Sequence, residues 1–444
     1  LERDRSQSLA YGVQAILSSK LDGAPNTPAA RRRVVISGMG AVSSVGTGLP
    51  AIAEALRLGR SGITFIQEWQ DAGILSQVAG VPEAEPSSPL VNRKIRRTCT
   101  SNALMALRAC HEAIETAGLT PEEIRGTNMA VLVGSGTGST ISSVKAAMAF
   151  QKHKSTRRIN PFTLSHVMGS TATANVSIAL GIKGESWSIS SACSTGAHAI
   201  GMGVLLIRTG LYERVLAGGS EELDWTRAGA FDAMGALSRK FNDRPEAASR
   251  PFDRHRDGFV ISGGAGLVLL EELEAARRRN APILAEVLGY GANSDGYDIV
   301  APLTEGAVDV VRRALADAQL QPGEIGYVNA HGTSTPLGDP SEAAAMGTIF
   351  GKRQPFISST KSMTGHAIGA AGSLETIYTV LMMKGGFLAP SVNVDEVDPR
   401  CGHLNLVVEA PNRLEARIAM SNSFGFGGTN ACVILRRWDG PEGV

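Results

Sequence analysis

Four landmarks occur twice along this chain, in the same order, and that duplication restricts the folds open to it more than any other feature. Val34-Val35-Ile36-Ser37-Gly38-Met39-Gly40 is echoed by Ala285-Glu286-Val287-Leu288-Gly289-Tyr290-Gly291, and both read as an opening strand that ends in glycines. Pro121-Glu122-Glu123-Ile124 leads into the apolar run 130–134, as Pro322-Gly323-Glu324-Ile325 leads into 326–332. The small-residue string 191–201, around Cys193 and His198, aligns with 361–369, around His366. Residues 259–264 with 267–270 pair with 424–428 and 432–435, each alternating apolar residues about glycines as a hairpin does. Strands alternating with helical stretches in both halves predict two α/β units with mostly parallel sheets. Two such halves pack about a pseudo-dyad, which would face Cys193 and His366 across one cleft. The division expected is an extension at residues 1–32, a half carrying the cysteine at 33–283 and a half carrying the histidines at 284–444.

The 444 residues carry a formal net charge of +1, so no bulk electrostatic drive toward nucleic acid or an anionic membrane exists. No stretch reaches the ~18 consecutive apolar residues of a membrane span. The five cysteines, at 99, 110, 193, 401 and 432, are odd in number, widely spaced and without a CxxC pair. That pattern argues against a disulfide framework or a zinc site and for a reducing, cytoplasmic setting. Residues 1–32 differ from the rest. Leu9, Val13, Ile16, Leu17 and Leu21 could line one helix face, and the run from Gly23 to Pro28 reads as a linker or tag remnant.

Cys193 falls between a predicted strand at 188–190 and a predicted helix over 195–208. A helix N-terminus favours the thiolate and makes the cysteine a nucleophile candidate; the alternative is a small buried hydrophobe. His331 ends a strand and opens Gly332-Thr333-Ser334-Thr335, the kind of place where α/β proteins put site residues. His366 follows a strand near 355–359 and precedes a small-residue helix, with Lys361 five residues before it. One cysteine, two histidines and a lysine around one cleft suit acyl transfer. His198 reads as a packed core histidine. Phe424-Gly425-Phe426-Gly427-Gly428 is a glycine turn that can present an N–H to an oxyanion. Gly134-Ser135-Gly136-Thr137-Gly138 lacks the Lys-Ser/Thr of a phosphate loop, and Gly38-Met39-Gly40 lacks the third glycine of a dinucleotide fingerprint.

Taken together, Ser190-Ser191-Ala192-Cys193, Asn329-Ala330-His331-Gly332-Thr333-Ser334-Thr335, the run from Lys361 through Gly365-His366 to Gly372, and Asn422-Ser423-Phe424-Gly425-Phe426-Gly427-Gly428 resemble the β-ketoacyl-[acyl carrier protein] synthases. The likeness runs from about Arg33 to about Arg437. The stretches 61–65, 231–238 and 255–260 look most like the elongating synthase I branch. The resemblance implies a duplicated thiolase-like fold in α-β-α-β-α layers, a homodimer, and an acyltransferase of fatty acid chain elongation. The implied partners are acyl carrier protein and malonyl- and acyl-thioesters. No cofactor beyond the phosphopantetheine on the carrier and no catalytic metal is implied. It further implies that Cys193 carries the acyl group and that His331 and His366 assist decarboxylation of the malonyl group. Lys361 would support His366, and Glu342 would pair with Lys361. The amides of Cys193 and Phe426 would form the oxyanion hole. Thr333 and Thr335 would hold the pantetheine arm, Phe424 and Phe426 would gate, and Phe231 and Arg227 would lie at the acyl pocket. Thiolases carry a second cysteine near Ala371, initiating synthases have asparagine in place of His366, and chain-length-factor partners lose the cysteine; none of these matches this chain. Gly338-Asp339-Pro340-Ser341-Glu342 leans toward polyketide enzymes, so a stand-alone ketosynthase of a polyketide or polyene pathway is the second enzyme reading. A non-catalytic partner or scaffold subunit is the reading from another class. Arg227, where the branch has an apolar residue, and Ser194-Thr195-Gly196 depart from the pattern and leave acyl preference open.

Overall fold

Every residue of β1 (Val34–Ser43) is buried, as an apolar run without alternation requires when a strand is covered on both faces. β1 lies at the middle of a twelve-stranded sheet. With it in the first half run β2 (Met129–Gly134), β3 (Ser186–Trp187), β4 (Arg214–Glu221) and β5 (Gly264–Glu272). The second half supplies β6 (Ala285–Ser294), β7 (Tyr327–Asn329), β8 (Phe356–Ser358), β9 (Asn405–Leu406), β10 (Ile418–Gly425) and β11 (Thr429–Arg437). The order along the sheet is β9-β8-β7-β10-β11-β6-β1-β5-β4-β2-β3, with the short strand Gly46–Thr47 on β1. Read outward from the β1–β6 contact, the halves mirror one another. The computed structural model describes residues 31–409, 412–413 and 416–440. The helix and linker expected within residues 1–30 lie outside them.

Helices cover the sheet in layers. α1 (Ser101–Ala117) packs on β1 and β5, and α4 (Thr304–Ala318) packs on β6 and β11. Between the halves, α2 (Thr195–Arg208) and α6 (Ala371–Gly385) pack against each other and against strands of both halves. Two further helices carry site residues: α3 (Trp225–Ala233) and α5 (Gly338–Phe350). This is the duplicated, layered α/β arrangement expected.

The repeated glycines have one physical cause. A Cβ on Gly38 would sit 2.1 Å from the Ala113 carbonyl oxygen on α1, and one on Gly289 would sit 2.4 Å from that of Ala314 on α4. Gly40 and Gly291 repeat the contact one pleat on, at 2.0 Å from Ala109 and 2.2 Å from Val310. Only glycine lets a helix backbone lie this close to a strand. The second pair of landmarks recurs as helix caps: the backbone N–H of Thr120 donates to Glu123 at 2.9 Å, and that of Gln321 to Glu324 at 2.7 Å.

Three expectations need correction. The sheets are not mostly parallel: the outer strands of each half pair in parallel, while β4-β5-β1 and β10-β11-β6 are antiparallel, as is β1-β6. Only the second half has the hairpin, where Gly425 faces Thr429. In the first half β5 pairs with β4, and residues 222–263 form a long excursion in place of a tight turn. The third landmark pair corresponds in a different register from the one its sequence suggests. The turn Ala192–Ser194 before α2 corresponds to the turn Ile368–Ala370 before α6, so Cys193 matches Gly369 rather than a residue near His366. Reciprocal close approaches fix this. A Cβ on Gly196 would meet Ser373 N at 2.7 Å, and one on Gly372 would meet Ala197 N at 2.8 Å.

Candidate active site

The one-turn helix Ala192–Ser194 delivers Cys193 to the start of α2. Ala192 has φ 49°, a left-handed conformation that costs an alanine about 1 kcal/mol or more. The turn is held from the other half. Ser194 Oγ donates to Ser423 O at 3.0 Å and to Thr429 O at 2.6 Å, and Thr429 Oγ1 donates to Ser191 O at 3.1 Å. His198 is half-buried, with Nδ1 2.7 Å from Ser191 Oγ, so it braces the turn from inside α2. The Phe426 N–H hydrogen-bonds the Cys193 sulfur.

His331 and Gly332 follow β7, and their backbone N–H groups both donate to the Glu342 carboxylate, at 2.9 and 2.7 Å. Asn422 Nδ2 adds a third bond to it at 3.1 Å. His366 is clamped by main chain alone: its N–H donates to Val260 O at 2.7 Å and its carbonyl accepts from Ser262 N at 2.9 Å. The two imidazoles meet edge to face with centroids 5.3 Å apart, and Phe259 packs edge-on to His366 at 5.5 Å. Cys193 Sγ and one ring nitrogen from each histidine all lie within 4.8 Å of one another. The chain thus gathers the nucleophile candidate and both histidines at one point. Among the described residues this is also the one His/Cys cluster with donors close enough for a shared cation.

The electrostatics differ from what Cys193's place at a helix start predicts. Burial pushes the thiol up to about 11, and outweighs the Phe426 N–H and the Lys361 charge, which pull the other way. Both imidazoles are held well below the usual histidine range, first by burial and then by Lys361. They are therefore neutral, each able to donate one N–H. His331 Nδ1 and both ring nitrogens of His366 are buried with no hydrogen-bond partner among the described residues. Orphaned polar atoms on residues that line a cavity are candidates to meet a substrate oxygen.

Glu342 does not pair with Lys361. The buried Lys361 ammonium bonds to Glu375 on α6, because Glu342 is already occupied by the His331–Gly332 amides and Asn422. Burial pushes the Glu375 carboxyl up to about 7 against the pull of Lys361. Glu375 escaped the sequence reading, although it is the sole acid in α6, all but fully buried; that isolation was its signal.

A cavity of about 480 Å³ opens onto this cluster, lined by Cys193, His331 and His366, by Thr333, Thr335 and Glu342, and by Phe231, Phe424 and Phe426. The Thr333 and Thr335 hydroxyls lie 3.2 Å apart on its polar side. Phe424 stacks edge-on to His331 at 5.7 Å, and Phe426 lies 6.1 Å from Phe231. Arg227 lines no part of this cavity and does not reach solvent; it is buried behind the wall.

The chain matches two family models. Residues 31–276 match the β-ketoacyl synthase N-terminal domain, and residues 284–395 match the β-ketoacyl synthase C-terminal domain. It is 46% identical to 3-oxoacyl-[acyl-carrier-protein] synthase 1 of Escherichia coli K12 over 91% of this chain and 99% of that one. The corresponding enzyme of Haemophilus influenzae is 44% identical over 92% and 100%. A β-ketoacyl synthase structure from Burkholderia phymatum superposes with a TM-score of 0.86 at 37% identity, over 92% of this chain and all of that one. A chain from the complex of a type II PKS acyl-carrier protein with its ketosynthase bound to the hexaketide gives 0.85 at 29%, with the same coverage. This protein belongs to the β-ketoacyl synthase family.

Proposed function

We propose that this chain is a 3-oxoacyl-[acyl-carrier-protein] synthase of fatty acid elongation, condensing malonyl-carrier protein with an acyl group held on Cys193. The observation that carries the reading is the convergence on one cavity of a buried thiol and two neutral imidazoles with unpartnered ring nitrogens. The 46% identity to synthase 1, against 29% to the polyketide ketosynthase complex, favours fatty acid elongation over a polyketide pathway. Retention of the thiol and both imidazoles tells against a non-catalytic scaffold.

Burial keeps the thiol protonated and the imidazoles neutral at rest. The proton therefore leaves Sγ for a ring nitrogen only as the incoming thioester is attacked, and it ends on the departing phosphopantetheine thiol. The Cys193 and Phe426 amides hold the oxyanion of that step. Malonyl-carrier protein then enters along Thr333 and Thr335, past Phe424 and Phe426. Loss of carbon dioxide itself creates the carbanion, so no strong base is needed. An N–H from His331 and one from His366 stabilise the enolate oxygen, and two donors in a dry site outweigh one. The carbanion attacks the Cys193 thioester, the bond to sulfur breaks, and 3-oxoacyl-carrier protein leaves. Lys361, paired with Glu375, adds its charge to the burial that keeps both imidazoles neutral. Glu342 fixes the His331 backbone. The steps use no group beyond the carrier's phosphopantetheine.

In this reading residues 33–283 and 284–444 are the two functional halves, and the enzyme works as a cytoplasmic homodimer. Support for a dimer comes from the helix Thr140–His153, which buries no side chain, and from exposed Met148, Phe150, Leu164 and Ile178 on that part of the surface. The free state of all five cysteines supports a reducing compartment. The test is intact-protein mass spectrometry with acyl-carrier proteins, comparing wild type with Cys193→Ala. An acyl mass gained by wild type alone supports the reading; no gain with any donor removes its first step.

A further inference from the structure

Arg227 is 3% exposed and lies on α3, the helix that brings Phe231 to the cavity wall. The polar side of the cavity, at Thr333 and Thr335, is taken by the phosphopantetheine in the reading above. The apolar cluster nearest the nucleophile is Phe231, Phe259 and Ile368, packed with Leu223 and Ala228. On α3, Phe231 follows Arg227 by four residues, so the two share a helix face and Arg227 lies one turn beyond the cavity wall. Both terminal nitrogens of its guanidinium are engaged there, while the buried Nε has no partner among the described residues. Nη1 donates to the Glu222 carbonyl, Nη2 donates to the Gly138 carbonyl at 2.8 Å, and Nη2 lies 3.2 Å from Glu221. Asp224 closes the group at 4.0 Å. Gly136 joins this cluster to the apolar wall: a Cβ there would be 2.8 Å from Glu221 Oε2 and 3.0 Å from Ile368 Cγ2. Glu221 in turn accepts from the amides of Gly136 at 2.6 Å and Gly369 at 3.1 Å, the second of these in the turn that matches the nucleophile's. No slack separates the apolar slot from the ionic group.

We propose that Arg227, held by Glu221, Glu222 and Asp224, is a polar stop at the end of the acyl slot, so that Cys193 accepts short acyl groups and rejects long ones. The inference rests on Cys193 being the acyl acceptor. A longer chain would have to displace a buried guanidinium from its carbonyls and carboxylates. Each added methylene gains less than that loss. An anionic acyl terminus finds no free two-pronged donor edge, because both terminal guanidinium nitrogens already face oxygen atoms and only Nε is left without a partner among the described residues.

The experiment is acyl loading by intact mass, using carrier proteins bearing acetyl, butyryl, hexanoyl, octanoyl and dodecanoyl groups, with succinyl as an anionic probe. Wild type is compared with Arg227→Met and with Arg227→Met/Glu222→Gln. The double variant also removes the Glu222 carboxyl, which is buried near the Arg227 charge, and so guards against misfolding caused by a buried acid left without its cation. The readout is the ratio of octanoyl to butyryl loading, which a general loss of stability does not move. Wild type is expected to load butyryl far better than octanoyl, and the ratio is expected to rise about tenfold or more in a folded Met variant. Equal octanoyl and butyryl loading by wild type overturns the proposal, as does an unchanged ratio in the variants. Preferential succinyl loading overturns it in favour of an anion anchor. If no donor loads wild type, the acyl-acceptor reading of Cys193 falls, and the stop falls with it.

Discussion

The turn that carries Cys193 and the turn at Ile368–Ala370 have the same backbone shape and opposite duties. Each precedes a central helix, each contains a non-glycine residue in left-handed conformation (Ala192 at φ 49°, Ile368 at φ 45°), and each is followed by a glycine pressed against the partner helix. At the matching position one half places a thiol and the other places Gly369, whose N–H is bound by Glu221. The second half contributes its side chain three residues earlier, as His366. A β-branched residue at positive φ is a marked outlier, so this strained frame belongs to the duplicated fold itself and not only to the nucleophile. Duplication supplied two equivalent loops around one axis, and a few side chains then divided the chemistry between them.

That division can be broken experimentally. Cys193→Ala is expected to abolish condensation while malonyl-carrier decarboxylation persists, measured as carbon dioxide release. His366→Ala should do the reverse: acyl loading persists, and decarboxylation falls about 10²–10³-fold with the lost donor. If both variants lose both reactions equally, the two turns do not divide the work. Lys361→Met leaves the Glu375 carboxylate buried and alone. A stability loss of about 3–5 kcal/mol is expected in denaturant titration, and Lys361→Met/Glu375→Gln should recover much of it. Failure of that recovery would move the Lys361 contribution elsewhere.

The pH dependence sharpens the contrast between the halves. His331 and His366 have folded-state values below the unfolded histidine value of 6.5. Below 6.5 the unfolded chain binds protons that the folded chain does not, so stability is full above that pH and falls as the medium is acidified. Replacing both histidines with glutamine is expected to flatten this slope in melting curves taken between neutral and mildly acidic pH. An unchanged slope would assign it to other groups. The smallest effect concerns the repeated caps. Thr120 Oγ1 also accepts from Glu123 N at 3.3 Å, so Thr120→Ala should cost about 1 kcal/mol. Gln321 donates its backbone N–H to Glu324 and accepts the Glu324 N–H at its backbone carbonyl, so Gln321→Ala should be close to neutral. Equal losses would mean that the two caps are held alike.

Much of the site was legible because its signals are local. Cys193 before a Gly-Ala helix, His331 after an apolar run and the Phe424–Gly428 turn are each recognised within a few residues. The register of the third repeat was not legible, since strings of Gly, Ala and Ser match in several offsets, and φ at Ala192 or Ile368 is not written in the residue type. The partner of Lys361 was not legible either: Glu342 and Glu375 are both acids on helices, and only packing shows that Glu342 is already bound by the His331–Gly332 amides. Arg227 was visible as a departure, with its direction unknown.

By itself, then, the sequence determined the doubled order of elements, the glycines where helix and strand backbones nearly touch, and which side chains could do chemistry. These follow from properties of residues and their near neighbours. Only the tertiary structure decided that the thiol is protonated at rest, that the imidazoles are neutral, that Glu375 answers Lys361 and that Arg227 turns inward. Protonation and pairing are set by how far water is excluded and which distant charges arrive within a few ångströms, and both depend on contacts between residues far apart in the chain.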